Sequence, residues 1–162
     1  MRLGPPLSAL IVAALLASSA LAGGTSAPDF VLPARDGSTV RLSELRGQVV
    51  MINFWATWCG PCRQEMPLLA QLQSKYEPLG FTLLAVNVEP DSAAAQDWLK
   101  GMAADLPVLF DRKNTVAESF GVQGMPSSVF VDRTGNVRYV HRGYQAGDES
   151  KYADMIRSLV KE

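Results

Sequence analysis

The stretch FWATWCGPCRQEMP, residues 54–67, holds both cysteines of a 162-residue chain. It lies where an apolar run ends and a helical period begins. Before and into it, QVVMINFW (48–55) is almost unbroken in apolar and β-branched residues, the pattern of a strand buried on both faces of a sheet. After it, Cys62, Met66, Leu69, Leu72 and Tyr76 recur at steps of four, three, three and four, which makes one apolar helix face. The spacing therefore places Cys59 at the start of a helix and Cys62 one turn further in.

Outward from this junction the chain alternates. FTLLAVNV (81–88) reads as a second buried strand, SAAAQDWLKGM (92–102) as a helix, VLF (108–110) as a short strand and NTVAESF (114–120) as a short helix. SSVFVD (127–132) and NVRYV (136–140) flank Arg133, Thr134 and Gly135 as a hairpin, and SKYADMIRSLVKE (150–162) closes the chain as a helix. On the amino-terminal side, FVLPARDGSTVRLSEL (30–45) carries two extended runs around the turn signal Asp36-Gly37. This order predicts a three-layer α/β/α domain with a mixed central sheet and an added N-terminal β-hairpin. In such sheets reactions take place at the carboxyl ends of the parallel strands, where the cysteine pair falls.

The first residues, MRLGPPLSALIVAALLASSALAGG, combine one arginine, an apolar run and an A-x-A step ending at Ala22. That is the pattern of a secretory signal peptide over residues 1–22, followed by a flexible lead-in (23–28) and one domain (29–162). An uncleaved membrane anchor is the alternative, although the run is short of the about 20 apolar residues a spanning helix needs. Removing 22 residues leaves 140, with 14 basic residues against 16 acidic. This balance points to neither nucleic acid nor an anionic membrane as partner. Export predicts a periplasmic or other extracytoplasmic setting, in which a cysteine pair oxidises unless something reduces it.

Cys-x-x-Cys can serve as a staple, as half of a metal site or as a dithiol that exchanges electrons. As a staple it is poor: so short a loop gives about 2 kcal/mol, against about 3 for a loop of about 15 residues. A closed zinc site wants four ligands, and the chain offers no further cysteine and His141 as its one histidine. Covalent haem needs histidine after the second cysteine, where Arg63 stands. The redox reading has positive support, because a helix N-terminus favours an anion and so lowers the pKa of a thiol at Cys59. Cys59 is then the attacking thiol and Cys62, on the apolar face, the resolving one. Pro61 suits the first helical turn, and Gly60 keeps bulk away from the sulfurs. No metal or cofactor is expected; His141 reads as a strand-end packing residue and Trp58 as a cover for one side of the sulfurs.

NFWATWCGPCRQEMP resembles the active-site segment of thioredoxins, and GMPSSVFVD (124–132) resembles their second signature. The longer segment from Ala27 to Cys59 is similar to exported thioredoxin-like thiol:disulfide reductases of the TlpA and ResA type, which include the cytochrome c maturation thioredoxins. The resemblance runs from about Pro28 to the C-terminus. It implies a thioredoxin-like fold, Cys59 as nucleophile, Cys62 as resolving thiol, and a cis peptide before Pro126 with the Met125 backbone left for an extended client peptide. Cytoplasmic-type thioredoxins carry a buried aspartate six residues before the first cysteine, where this chain has Asn53. An amide cannot take the proton from Cys62, so Glu89, at the end of the neighbouring strand, is the candidate substitute, with Asp91 behind it.

The resulting expectation is a protein-disulfide reductase acting on a client with a disulfide or cysteine pair, such as apocytochrome c or a copper-site pair. A membrane-embedded thiol donor would recharge it. A disulfide oxidase or isomerase uses the same residues with electrons flowing the other way. A copper-delivery protein and a thiol peroxidase are the alternatives from other classes.

Overall fold

The structure is a computed structural model that describes residues 24–102 and 106–162; the expected signal segment, residues 1–22, lies outside them. The described strands are β1 (Thr25–Ser26), β2 (Val31–Pro33), β3 (Thr39–Arg41), β4 (Val49–Trp55), β5 (Phe81–Asn87), β6 (Val108–Phe110), β7 (Ser127–Val131) and β8 (Asn136–Arg142). The α-helices are α1 (Gly60–Tyr76), α2 (Ala93–Lys100), α3 (Thr115–Ser119) and α4 (Asp148–Val160).

The almost unbroken apolar run of β4 puts it at the centre of the sheet, where every one of its residues is buried. The strand order is β1-β8-β7-β4-β5-β6, with β4, β5 and β6 parallel and β7 and β8 antiparallel. The expected mixed sheet is therefore present. Its register sets Trp55 against Asn87 and Phe54 against Ser127, so the end of β4, the end of β5 and the start of β7 share one rim.

Helices α1, α2 and α4 cover one face of the sheet. There Trp55 meets Trp98 of α2 at 5.4 Å between ring centroids, and Phe130 meets Tyr152 of α4 at 5.9 Å. The apolar stripe on α1, including Met66, Leu69 and Tyr76, is buried against this face. On the other face Phe120, just after α3, packs against Phe54 at 5.9 Å and against Phe30 at 6.1 Å. The hairpin of β2 and β3 forms its own small sheet and bridges to the main one through Ala34 and Leu109.

One segment departs from expectation. Residues 23–28 read as a flexible lead-in, yet Thr25 and Ser26 pair with Val137 and Asn136 as an edge strand. Ala27 follows them, buried and bonded through its N–H to the Gly135 carbonyl at 2.9 Å. Backbone pairing to β8 orders this stretch, although its small polar residues carry no strand pattern.

Candidate active site

Cys59 is the N-cap residue of α1, with extended backbone (φ −84°, ψ 104°), and its Sγ accepts the Cys62 N–H at 3.2 Å. The first N–H groups of a helix have no partner within the helix, and this sulfur takes one of them. No acidic side chain stands in the first turn of α1 to oppose its positive end. Both features favour negative charge on Cys59 Sγ. Cys59 and Cys62 are joined in a disulfide with S–S 2.03 Å. Cys59 retains 5% of its surface and Cys62 none, so Cys59 is the member of the pair that is not fully shielded.

The loop between the cysteines is open outward. A Cβ added at Gly60 would meet no atom within 4 Å, and Pro61 occupies the first turn. Trp58 is 69% exposed, whereas Trp55 is wholly buried on Trp98 and serves packing. The Met125–Pro126 peptide is cis, as the resemblance implies. Because Ser127 lies opposite Phe54, Pro126 sits level with the end of β4, at the rim where the cysteine loop begins. Pro126 is buried, and its carbonyl accepts the Gly143 N–H at 2.8 Å.

One turn further along α1 than Cys62 lies a carboxyl inside the core. Glu65 is fully buried. Its Oε2 accepts from Asn53 Nδ2 at 3.3 Å, and the same amide donates to Ser128 Oγ at 3.0 Å. Burial pushes the Glu65 carboxyl up to about 7, against the opposing pull of Tyr152 and Asn53 nearby. Of these two only Asn53 reaches hydrogen-bond geometry, since Glu65 Oε1 and the Tyr152 hydroxyl make no such bond among the described residues. The signal was in the sequence: Cys62, Glu65, Leu69, Leu72 and Tyr76 fall at steps of three, four, three and four, which puts a carboxyl inside the buried stripe.

Glu89 is engaged by the loop that leads into the cysteines. Its Oε2 accepts from Thr57 N–H at 2.9 Å and Asn87 Nδ2 at 2.8 Å, and its Oε1 accepts from the Thr57 hydroxyl at 2.6 Å. Burial pushes its pKa up, but the bonds from Asn87 and Thr57 outweigh that and hold it below the ordinary glutamate value. Asp91 is engaged elsewhere, accepting the Ala93 N–H at 2.9 Å where α2 begins. His141 packs edge-on against Tyr152 and sets Nε2 3.0 Å from Asp148 Oδ2, a structural contact at the end of β8. Among the described residues no group of three or more His, Cys, Asp and Glu side chains is arranged to hold a metal ion.

Comparison with known proteins agrees with this chemistry. The redoxin family model matches residues 22–156. The thiol-disulfide oxidoreductase ResA of Geobacillus thermodenitrificans is 35% identical over 133 residues, covering 82% of this chain and 76% of that protein. Its counterpart in Bacillus subtilis is 33% identical, covering 74% of this chain and 67% of that protein. Among solved structures, a thiol:disulfide interchange protein DsbE of Chlorobium tepidum superposes with a TM-score of 0.81 at 40% identity, covering 85% of this chain and 96% of the other. The capped, half-shielded cysteine pair and these matches agree: the chain belongs to the redoxin family, among its thiol-disulfide oxidoreductases of thioredoxin-like fold.

Proposed function

We propose that this protein is a reductant of client disulfides in an extracytoplasmic compartment. The observation that carries the reading is the asymmetry of the pair, with Cys59 capping α1 and keeping a trace of exposure while Cys62 is fully buried, three residues before the buried Glu65. In the reduced protein the Cys59 thiolate attacks one sulfur of the client disulfide. The client S–S bond breaks, a Cys59–client disulfide forms, and the client sulfur released takes up a proton. Cys62 then gives its proton to Glu65 and attacks Cys59 Sγ. The Cys59–Cys62 bond forms, the mixed disulfide breaks, and the second client thiolate leaves and is protonated. Two thiols of the protein become one disulfide as one client disulfide becomes two thiols, so electrons and protons balance.

Proton handling at Cys62 is assigned to Glu65 in place of Glu89. A general base works best when its pKa lies near the operating pH, and burial tunes Glu65 into that range while hydrogen bonds hold Glu89 below it. Trp58, Gly60, Pro61, Met125 and Pro126 form the surface that receives the client in extended form, since Pro126 has no N–H to occupy the space beside the sulfurs. Apocytochrome c and copper-site cysteine pairs are the client classes proposed. A membrane-embedded thiol donor returns the protein to its dithiol form. The described residues include no helix long and apolar enough to cross a membrane.

Equilibration of the Cys59–Cys62 pair against a glutathione or dithiothreitol couple tests the direction of electron flow. The reductant reading expects a potential toward the thioredoxin end of the range, near about −270 mV. A value near about −120 mV, roughly 7 kcal/mol away, would reverse it in favour of an oxidase.

A further inference from the structure

Between β4 and α1 the chain must turn from the core to the rim within four residues, Ala56 to Cys59. Ala56 is fully buried and Trp58 is 69% exposed, so the chain changes environment across Thr57. Within the loop one backbone bond closes the turn, from Cys59 N–H to the Ala56 carbonyl at 3.2 Å. Among the described residues the hydrogen-bond partner of Thr57 is Glu89, whose two oxygens take both its N–H and its hydroxyl. Glu89 is itself fastened to the buried Asn87, which donates to it from Nδ2 and accepts its N–H at 3.2 Å. The Asn87 carbonyl in turn accepts the Asp111 N–H at 2.8 Å, tying the arrangement to the end of β6.

We infer that Glu89 is a positioning residue for thiol exchange: its carboxylate clasps Thr57 to the end of β5 and so holds Trp58 and Cys59 in the orientation that meets a client disulfide. This rests on the proposed role of Cys59 as the attacking thiol. The clasp explains why a long carboxylate stands there. Three donors converge on two oxygens, and aspartate would be one methylene too short to reach across to the loop. Without the side chain the Thr57 N–H would lose its partner inside a partly buried turn, and the loop would sample other orientations. Misplacing an attacking atom slows a reaction steeply, because in-line approach at near-contact distance is part of the barrier.

The test compares Glu89→Ala and Glu89→Gln in the full chain, reduced with dithiothreitol, in rapid-quench reaction with a synthetic peptide disulfide across the neutral pH range. The alanine variant should form mixed disulfide about tenfold more slowly, as expected for a displaced nucleophile. The glutamine variant should recover to within about twofold, because an amide oxygen can accept from Thr57 N–H and Asn87 while its NH2 donates to the Thr57 hydroxyl. The pH midpoint of the rate should stay in place in both. If the glutamine variant is as slow as the alanine variant and its midpoint moves, Glu89 carries a proton and the positioning role is overturned. An alanine variant with the parent rate also overturns it. Should Glu89→Ala fail to fold, Thr57→Val removes only the hydroxyl contact and should slow the same step by about threefold; no slowing refutes the clasp. Brief iodoacetamide labelling of the parent separates the premise from the inference: preferential modification of Cys62 would refute the Cys59 assignment itself.

Discussion

Glu65→Gln in the oxidised protein isolates the buried carboxyl beneath the cysteines. Burial raises the pKa of Glu65 from its ordinary 4.5 to about 7. That difference corresponds to about 3 kcal/mol, at about 1.4 kcal/mol per pH unit. The folded pKa lies above the unfolded one, so the favourable contribution of Glu65 is complete below the unfolded value. It is lost as pH rises through the folded value, because the folded state must then hold a charge away from water. The parent should therefore lose about 3 kcal/mol of stability from this one group between about pH 4 and about pH 8. The amide variant cannot ionise and should escape that loss. Urea denaturation followed by circular dichroism, with the disulfide kept closed, measures the gap between parent and variant at both pH values. The variant should gain on the parent by about 3 kcal/mol on moving from about pH 4 to about pH 8, whatever fixed offset the amide brings. A gap that is the same at both values would mean that Glu65 titrates in the fold as it does in the unfolded chain, and that burial does not raise its pKa.

In turnover the same substitution should leave formation of the Cys59–client disulfide intact and slow its resolution; loss of the first step instead would place Glu65 elsewhere in the mechanism. In the reduced parent the resolving rate should rise with pH through about 7 as Glu65 ionises, and a flat profile there counts against it as the base. Brief alkylation of the reduced protein should modify Cys59 before Cys62, checked by peptide mass mapping. Asp111 accepts the Val116 and Ala117 N–H groups at 3.0 and 2.9 Å at the start of α3. Asp111→Ala should therefore cost about 1–2 kcal/mol in urea denaturation while leaving the redox potential unchanged.

The parts of this fold that were legible in the sequence are those with a long signal. β4 is an apolar run broken only by Asn53 and α1 keeps its period over four turns, so both are legible to within a residue or two, and with them the junction that carries Cys59. β1 was not legible: it is two small polar residues whose partner strand lies far along the chain, and backbone pairing leaves no mark in side-chain periodicity. Glu65 was legible and passed over, because a charged residue inside an apolar stripe reads first as a break in the stripe. Glu89 was placed at the right rim from its position at a strand end. Its partner Thr57 stands 32 residues earlier, and no spacing rule says which way a strand-end carboxylate turns. The cis peptide before Pro126 came from resemblance alone.

The empty space around the Cβ direction of Gly60 makes this a position of free choice. Glycine is required there neither by a left-handed backbone nor by a neighbour's approach to its Cβ position, so a side chain can start between the cysteines without a clash at its first carbon. What such a residue would change is the field at the first turn of α1 and the surface offered to the incoming sulfur. An acidic side chain would oppose charge on Cys59 and a basic one would support it. Position 60 is thus where evolution or an engineer can retune the driving force and the clientele of this oxidoreductase while its fold stays as it is.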